Sequence, residues 1–124
     1  MHRISTGSPF EASMGYSRAL VKGNWCFVSG VTGYDYTTMT MPETAAEQAK
    51  NCFDTIFRVL DEAGFTADDI VRVQYTVIDA ILVDEIAPIL GEAMGKIRPA
   101  ATMVISGLIR PEMKIEIEVT AMRE

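Results

Sequence analysis

The sequence contains one histidine, one tryptophan and two cysteines, and that scarcity narrows the chemistry at once. A Ser-His-Asp triad needs a held imidazole. The single candidate, His2, lies in a terminus expected to fray, so triad catalysis is set aside. No metal-ligand spacing and no glycine-rich phosphate loop can be read. Cys26 and Cys52 both sit in apolar stretches. They read as buried thiols of a reducing compartment, with a Cys26–Cys52 bridge left open by sequence alone. No apolar run approaches the ~20 residues of a membrane span. The start, Met1-His2-Arg3-Ile4, lacks the long apolar core of a secretory signal. The expectation is a cytoplasmic protein with no membrane partner.

Positive charge is also short. Eleven Lys and Arg face seventeen Asp and Glu, for a net charge of −6. The cations are scattered rather than clustered, so a phosphate backbone meets a repulsive average field and nucleic acid is an unfavoured partner. What is present suffices for a core. Hydrophobic residues make up 48% of 124 residues, enough for one domain over residues 1–124 without disulfide or metal staples.

Ser17 to Lys22 reads as a strand, Gly23-Asn24 as a two-residue hairpin turn, and Trp25 to Ser29 as the returning strand, ending at Gly30. Residues 33 to 42 read as a polar, threonine-rich surface loop. A helix is expected from Glu43 to Ala63. Pro42 is placed to begin it, Glu43 and Glu47 suit its positive end, and Gly64 stops it. Ala45, Ala49, Cys52, Phe53, Ile56, Phe57 and Leu60 make one apolar stripe at helical spacing. Ile70 to Ile78 reads as a strand with Val71, Val73, Tyr75 and Val77 on one face. A second helix covers Asp84 to Met94 despite Pro88 within it. Strands follow at Ala101 to Leu108 and Met113 to Met122, with room for one further short strand. This order predicts an α+β fold, a mixed sheet with two helices on one face.

The last strand alternates cleanly. Ile115, Ile117, Val119 and Ala121 face one way; Lys114, Glu116, Glu118 and Thr120 face the other. A wet outer face is the plain reading of that pattern. The preceding strand, however, is largely apolar on both faces. Two helices cover only one side of the sheet, so the other side is expected to be an association surface.

Several segments occur together in register: Tyr16-Ser17-Arg18-Ala19, Phe27-Val28-Ser29-Gly30, Gln48, Glu62-Ala63-Gly64, Arg98-Pro99-Ala100 and Lys114-Ile115-Glu116-Ile117-Glu118. Through nearly its whole length the chain resembles the RidA/YjgF family. The resemblance implies a chorismate-mutase-like fold, a six-stranded sheet with two helices on one face. Three copies would join their sheets into a central barrel, with a small-molecule cleft at each subunit boundary. It further implies cofactor-free hydrolysis of reactive imines and enamines.

Carried over position by position, the resemblance puts Glu116 at the water-activating carboxylate. The alternative for Glu116 is a structural strand residue in an interfacial hydrogen-bond network. Ser29 and Tyr16 fall on cleft-lining positions. Ala101 stands where the family has the arginine that grips the substrate carboxylate, Met103 follows where a cysteine is frequent, and Arg98 is the candidate substitute cation. Arg18 and Arg72 read as solvated or paired across strands. Alanine cannot replace a two-pronged arginine contact, so the usual amino-acid-derived imine is an unfavoured substrate. The expectation is a homotrimer holding a small metabolite, hydrolysing an imine, enamine or amide-like compound with Glu116. A non-catalytic binding trimer is the alternative, and a ribonuclease is disfavoured.

Overall fold

Gly23 takes a φ of +59°, the left-handed conformation that a tight turn requires of its first central residue. It joins β2 (Ala19–Lys22) to β3 (Trp25–Thr32) in the expected register, with Lys22 opposite Trp25. The computed structural model describes residues 1–124. Around this hairpin stand β1 (His2–Ile4), α1 (Pro9–Met14), α2 (Ala45–Glu62), β4 (Ile70–Val77), α3 (Val83–Met94), β5 (Ala100–Ile105) and β6 (Ile115–Met122).

The six strands form one mixed sheet in the order β1-β2-β3-β6-β4-β5. Every pairing is antiparallel except β4 with β5, which run parallel because α3 carries the chain back between them. The expected α+β fold, with two main helices on one face, is the fold observed. The sixth strand is the N-terminal one. His2 is not frayed: it pairs with Val21, and Ile4 is buried opposite Ala19.

Side-chain alternation along β6 puts Ile115, Ile117, Val119 and Ala121 in the core, each at most 3% exposed. They meet the α2 stripe of Ala45, Ala49, Cys52, Phe53, Ile56 and Leu60. Burial of each large aliphatic side chain contributes roughly 1.5–3 kcal/mol. Cys26 and Cys52 are both buried and free. Pro42 does not begin α2. Thr44 caps it, its hydroxyl accepting from the Glu47 amide at 3.1 Å. Gly64, at φ +82°, ends the helix as expected.

Two backbone irregularities correct the expected strand faces. The β4–β6 register shifts between Ile70 and Arg72, so Ile70 takes the core position and Val71 is 41% exposed. Strand β3 does not end at Gly30. It continues to Thr32 through a bulge between Val28 and Val31, which leaves Ser29 and Gly30 outside the regular ladder. At the far edge β5 stops at Ile105 rather than Leu108, and all six of its residues are exposed. On the sheet, exposed apolar side chains form two groups. One is β5, with Met103, Val104 and Ile105. The other is the helix-free face at the β2–β3 corner, where Trp25 and Phe27 stack with centroids 6.1 Å apart.

Candidate functional site

The β3 bulge builds the most unusual environment in the molecule. Glu116 on β6 lies opposite Thr32 of β3 and Thr76 of β4, on the helix-free face. Its carboxyl rests against the bulge: a Cβ added at Gly30 would stand 2.5 Å from the Glu116 carboxyl carbon. Only glycine admits that approach. Burial pushes the Glu116 carboxyl above the usual glutamate range and Glu118 adds to the rise, while the positive charge of Arg18 opposes it.

Arg18 is 1% exposed; of the two sequence readings, solvated or paired across strands, the structure gives the second. Its Nη1 donates to the Ser29 carbonyl at 3.2 Å, the Ser29 hydroxyl at 3.2 Å and the Gly30 carbonyl at 2.7 Å. The guanidinium lies between two rings, 5.8 Å from the Tyr16 centroid and 5.1 Å from that of Tyr36. The Tyr36 hydroxyl accepts from the Thr32 amide at 3.1 Å, which ties this aromatic wall back to β3. Burial is also the main cause that raises the Tyr16 phenol above its ordinary value.

The sequence-derived candidates divide into two groups. Tyr16, Ser29 and Glu116 gather around Arg18 and the bulge. The Ser29 hydroxyl is occupied within the chain, since it also lies 3.0 Å from the carbonyls of Ser17 and Arg18. Ala101 and Met103 share the helix-side face of β5 with Val73 and Tyr75, whereas Glu116 lies on the opposite face. Arg98 is exposed, with φ +52°, just before β5. Ala100 is level with Thr120 across the sheet, four residues along β6 from Glu116, or about 13 Å. Within one subunit Arg98 therefore does not substitute at the Glu116 site.

Sequence reasoning missed Arg18 and Tyr36. The available signal was a cation just before an apolar strand, with Ser-Gly at the end of the next. Only the hairpin register shows that the two segments meet.

A mixed sheet backed by two helices, with a half-buried glutamate resting against a bulge that a buried arginine holds, defines a small-domain fold with a polar cradle on its open face. The family model described as endoribonuclease L-PSP matches residues 6–123. The RutC family protein encoded in the leuC 5′ region of Leuconostoc mesenteroides subsp. cremoris is 34% identical, covering 97% of this chain and 96% of that protein. The crystal structure of Mycobacterium tuberculosis Rv2704, a member of the YjgF/YER057c/UK114 family, superposes with a TM-score of 0.89. The identity is 35%, covering 98% of each chain. The YjgF gene product of E. coli, 24% identical with a TM-score of 0.86 over all of this chain and 99% of that one, shares the fold. The chain belongs to the RidA/YjgF family, as its motifs indicated.

Proposed function

We propose that this protein is a single-domain homotrimer that binds a small metabolite between subunits and hydrolyses an imine, enamine or amide-like bond with Glu116. The observation that carries this reading is the Glu116 carboxyl. It is half-buried, raised above its ordinary range and free of side-chain hydrogen bonds within the subunit. A carboxyl tuned upward is better suited to exchanging protons near neutral pH. In the proposed step the carboxylate takes a proton from water as the water oxygen bonds to the imine carbon. The C=N π pair moves to nitrogen, which takes that proton back from the Glu116 carboxyl to give the carbinolamine. The carboxylate then accepts the carbinolamine hydroxyl proton and delivers it to the amine as the C–N bond breaks, leaving the carbonyl and ammonia.

The division of the candidate residues supports an intersubunit site. Tyr16 and Glu116 lie on one part of the subunit, Ala101 and Met103 on an exposed edge that needs a cover. Another copy's β5 laid against the Glu116 face would answer both needs. Sedimentation at micromolar concentration is expected to give a species about three times the 13.6 kDa chain, and a clean monomer would refute this assembly. No helix is long and apolar enough to cross a membrane. A cytoplasmic location goes with this reading, consistent with two free, buried thiols. The net charge of −6 remains the argument against a ribonuclease, whatever the description of the family model.

The deciding experiment presents purified protein with small imines that carry or lack a carboxylate and follows ammonia release. Uncharged imines are expected to be turned over, and the carboxylate-bearing ones poorly because Ala101 offers no grip. Glu116→Gln is expected to abolish release, a loss on the order of a hundredfold or more, while the assembly stays intact. A Glu116→Gln protein with native turnover would remove Glu116 from the chemistry, and a native protein that releases no ammonia from any of these imines would leave the non-catalytic binding reading.

A further inference from the structure

A buried guanidinium is costly unless its charge is answered, because removal from water penalises the ion by several kcal/mol. Arg18 is buried almost completely, yet none of its hydrogen-bond acceptors is a carboxylate. Its Nε is buried with no partner at all. Stability alone does not account for this arrangement, since a neutral side chain could donate to the same carbonyls. The contacts it does make converge on one place. Nη1 holds the carbonyls of Ser29 and Gly30, and the Cα of Gly30 is the surface against which the Glu116 carboxyl lies. Tyr16 and Tyr36 flank the guanidinium and limit its movement.

We propose that Arg18 is the positioning residue of this site: its guanidinium fixes the β3 bulge that seats the Glu116 carboxyl and places a buried positive charge behind that bulge. The assignment deepens the reading of Glu116 as the working carboxylate and rests on it. The other groups around Glu116 do not provide that charge. Its own strand contributes Glu118, Lys114 just before the strand turns its ammonium to the Glu43 carbonyl, α2 contributes the Cys52 thiol, and the neighbouring positions on β3 and β4, Gly30, Thr32 and Thr76, do not titrate. Glu11 also feels Arg18, but it is engaged with the amide and hydroxyl of Thr6. Arg18 is thus the one nearby cation opposing the rise that burial and Glu118 impose on Glu116.

The test is an NMR titration of the intact protein that follows the Glu116 side-chain carboxyl carbon and the Arg18 Nε together. In the native protein the Nε signal is expected to move with the same midpoint as the Glu116 carboxyl, and Glu116→Gln should remove that response. Arg18→Gln retains a donor toward the bulge carbonyls but drops the charge. It should move the Glu116 midpoint measurably upward, and Arg18→Lys should hold it near the native position. An Nε signal indifferent to Glu116, or a folded Arg18→Gln protein with an unshifted midpoint, overturns the assignment. If Arg18→Gln does not fold, the native co-titration decides alone. These readouts do not depend on turnover. A Glu116→Gln protein that stays active would sink the proposed function while leaving the coupling measurable, and an absent coupling would sink the Arg18 assignment alone.

Discussion

Replacing Gln48 by leucine is expected to destabilise the protein by about 3–4 kcal/mol, the sum of desolvation penalties for several unpaired backbone groups. Gln48 is fully buried in α2. Its amide nitrogen donates to the Pro42 carbonyl at 2.8 Å and the Glu112 carbonyl at 3.0 Å, and its oxygen accepts from the Lys114 amide at 2.9 Å. One side chain thus satisfies the loop entering α2 and the segment entering β6. Leucine matches the volume but offers no donor or acceptor, so three backbone groups lose their partner. Thermal unfolding should shift downward by roughly 10 °C or more for a domain of this size. The effect should extend to the site, because Lys114 immediately precedes the strand that carries Glu116. A Gln48→Leu protein melting within a few degrees of native would show that these groups find other partners.

Gly33→Ala is expected to cost about 3 kcal/mol, at the upper end for overpacking. The chain leaving β3 crosses α2 at this residue. An added Cβ would lie 2.5 Å from the Gln48 Cβ and 2.6 Å from the Gln48 Cα. The obstacle is helix backbone, so no side-chain rotation relieves it. Asn51 fastens the same crossing by donating to the Gly33 carbonyl at 2.9 Å. Gly107 is the control, since a Cβ there meets nothing within 4 Å. Denaturant unfolding should separate the two variants clearly, with Gly107→Ala near native and Gly33→Ala well below. Equal midpoints would mean that the crossing yields easily. Because Gly33 and Gln48 touch, the double variant should lose less than the sum of the two.

Much of this molecule was legible from local pattern. The β2–β3 hairpin follows from Gly23-Asn24 between two apolar runs, α2 from its periodic stripe and Gly64, and the two faces of β6 from strict alternation. These features depend on neighbours within one or two turns of chain, so the sequence states them directly. The family resemblance added Glu116, Ser29 and Tyr16, which fold onto one region. The errors came where a single residue breaks the period. A register shift reversed the face of Val71, and the bulge after Val28 carried β3 past Gly30. Alternation cannot show a bulge, because the extra residue is defined by its partner strand.

The tertiary structure alone decided what surrounds Glu116. Strand β6 inserts between β3 and β4, although β3 and β6 are separated by more than eighty residues of chain. That insertion brings the Gly30 backbone against the Glu116 carboxyl, and the hairpin register brings Arg18 beneath Gly30. The sequence left Arg18 solvated or paired across strands; its burial follows from which strands pair and where the bulge falls. Ala101 and Met103 were separated from Glu116 for the same reason, since the parallel pairing of β5 with β4 sets them on the other face. Residue identity determined which chemical groups this protein has. Long-range strand order determined which of them share a low-dielectric pocket, and in such a pocket a neighbouring charge shifts a carboxyl far more than it would in water.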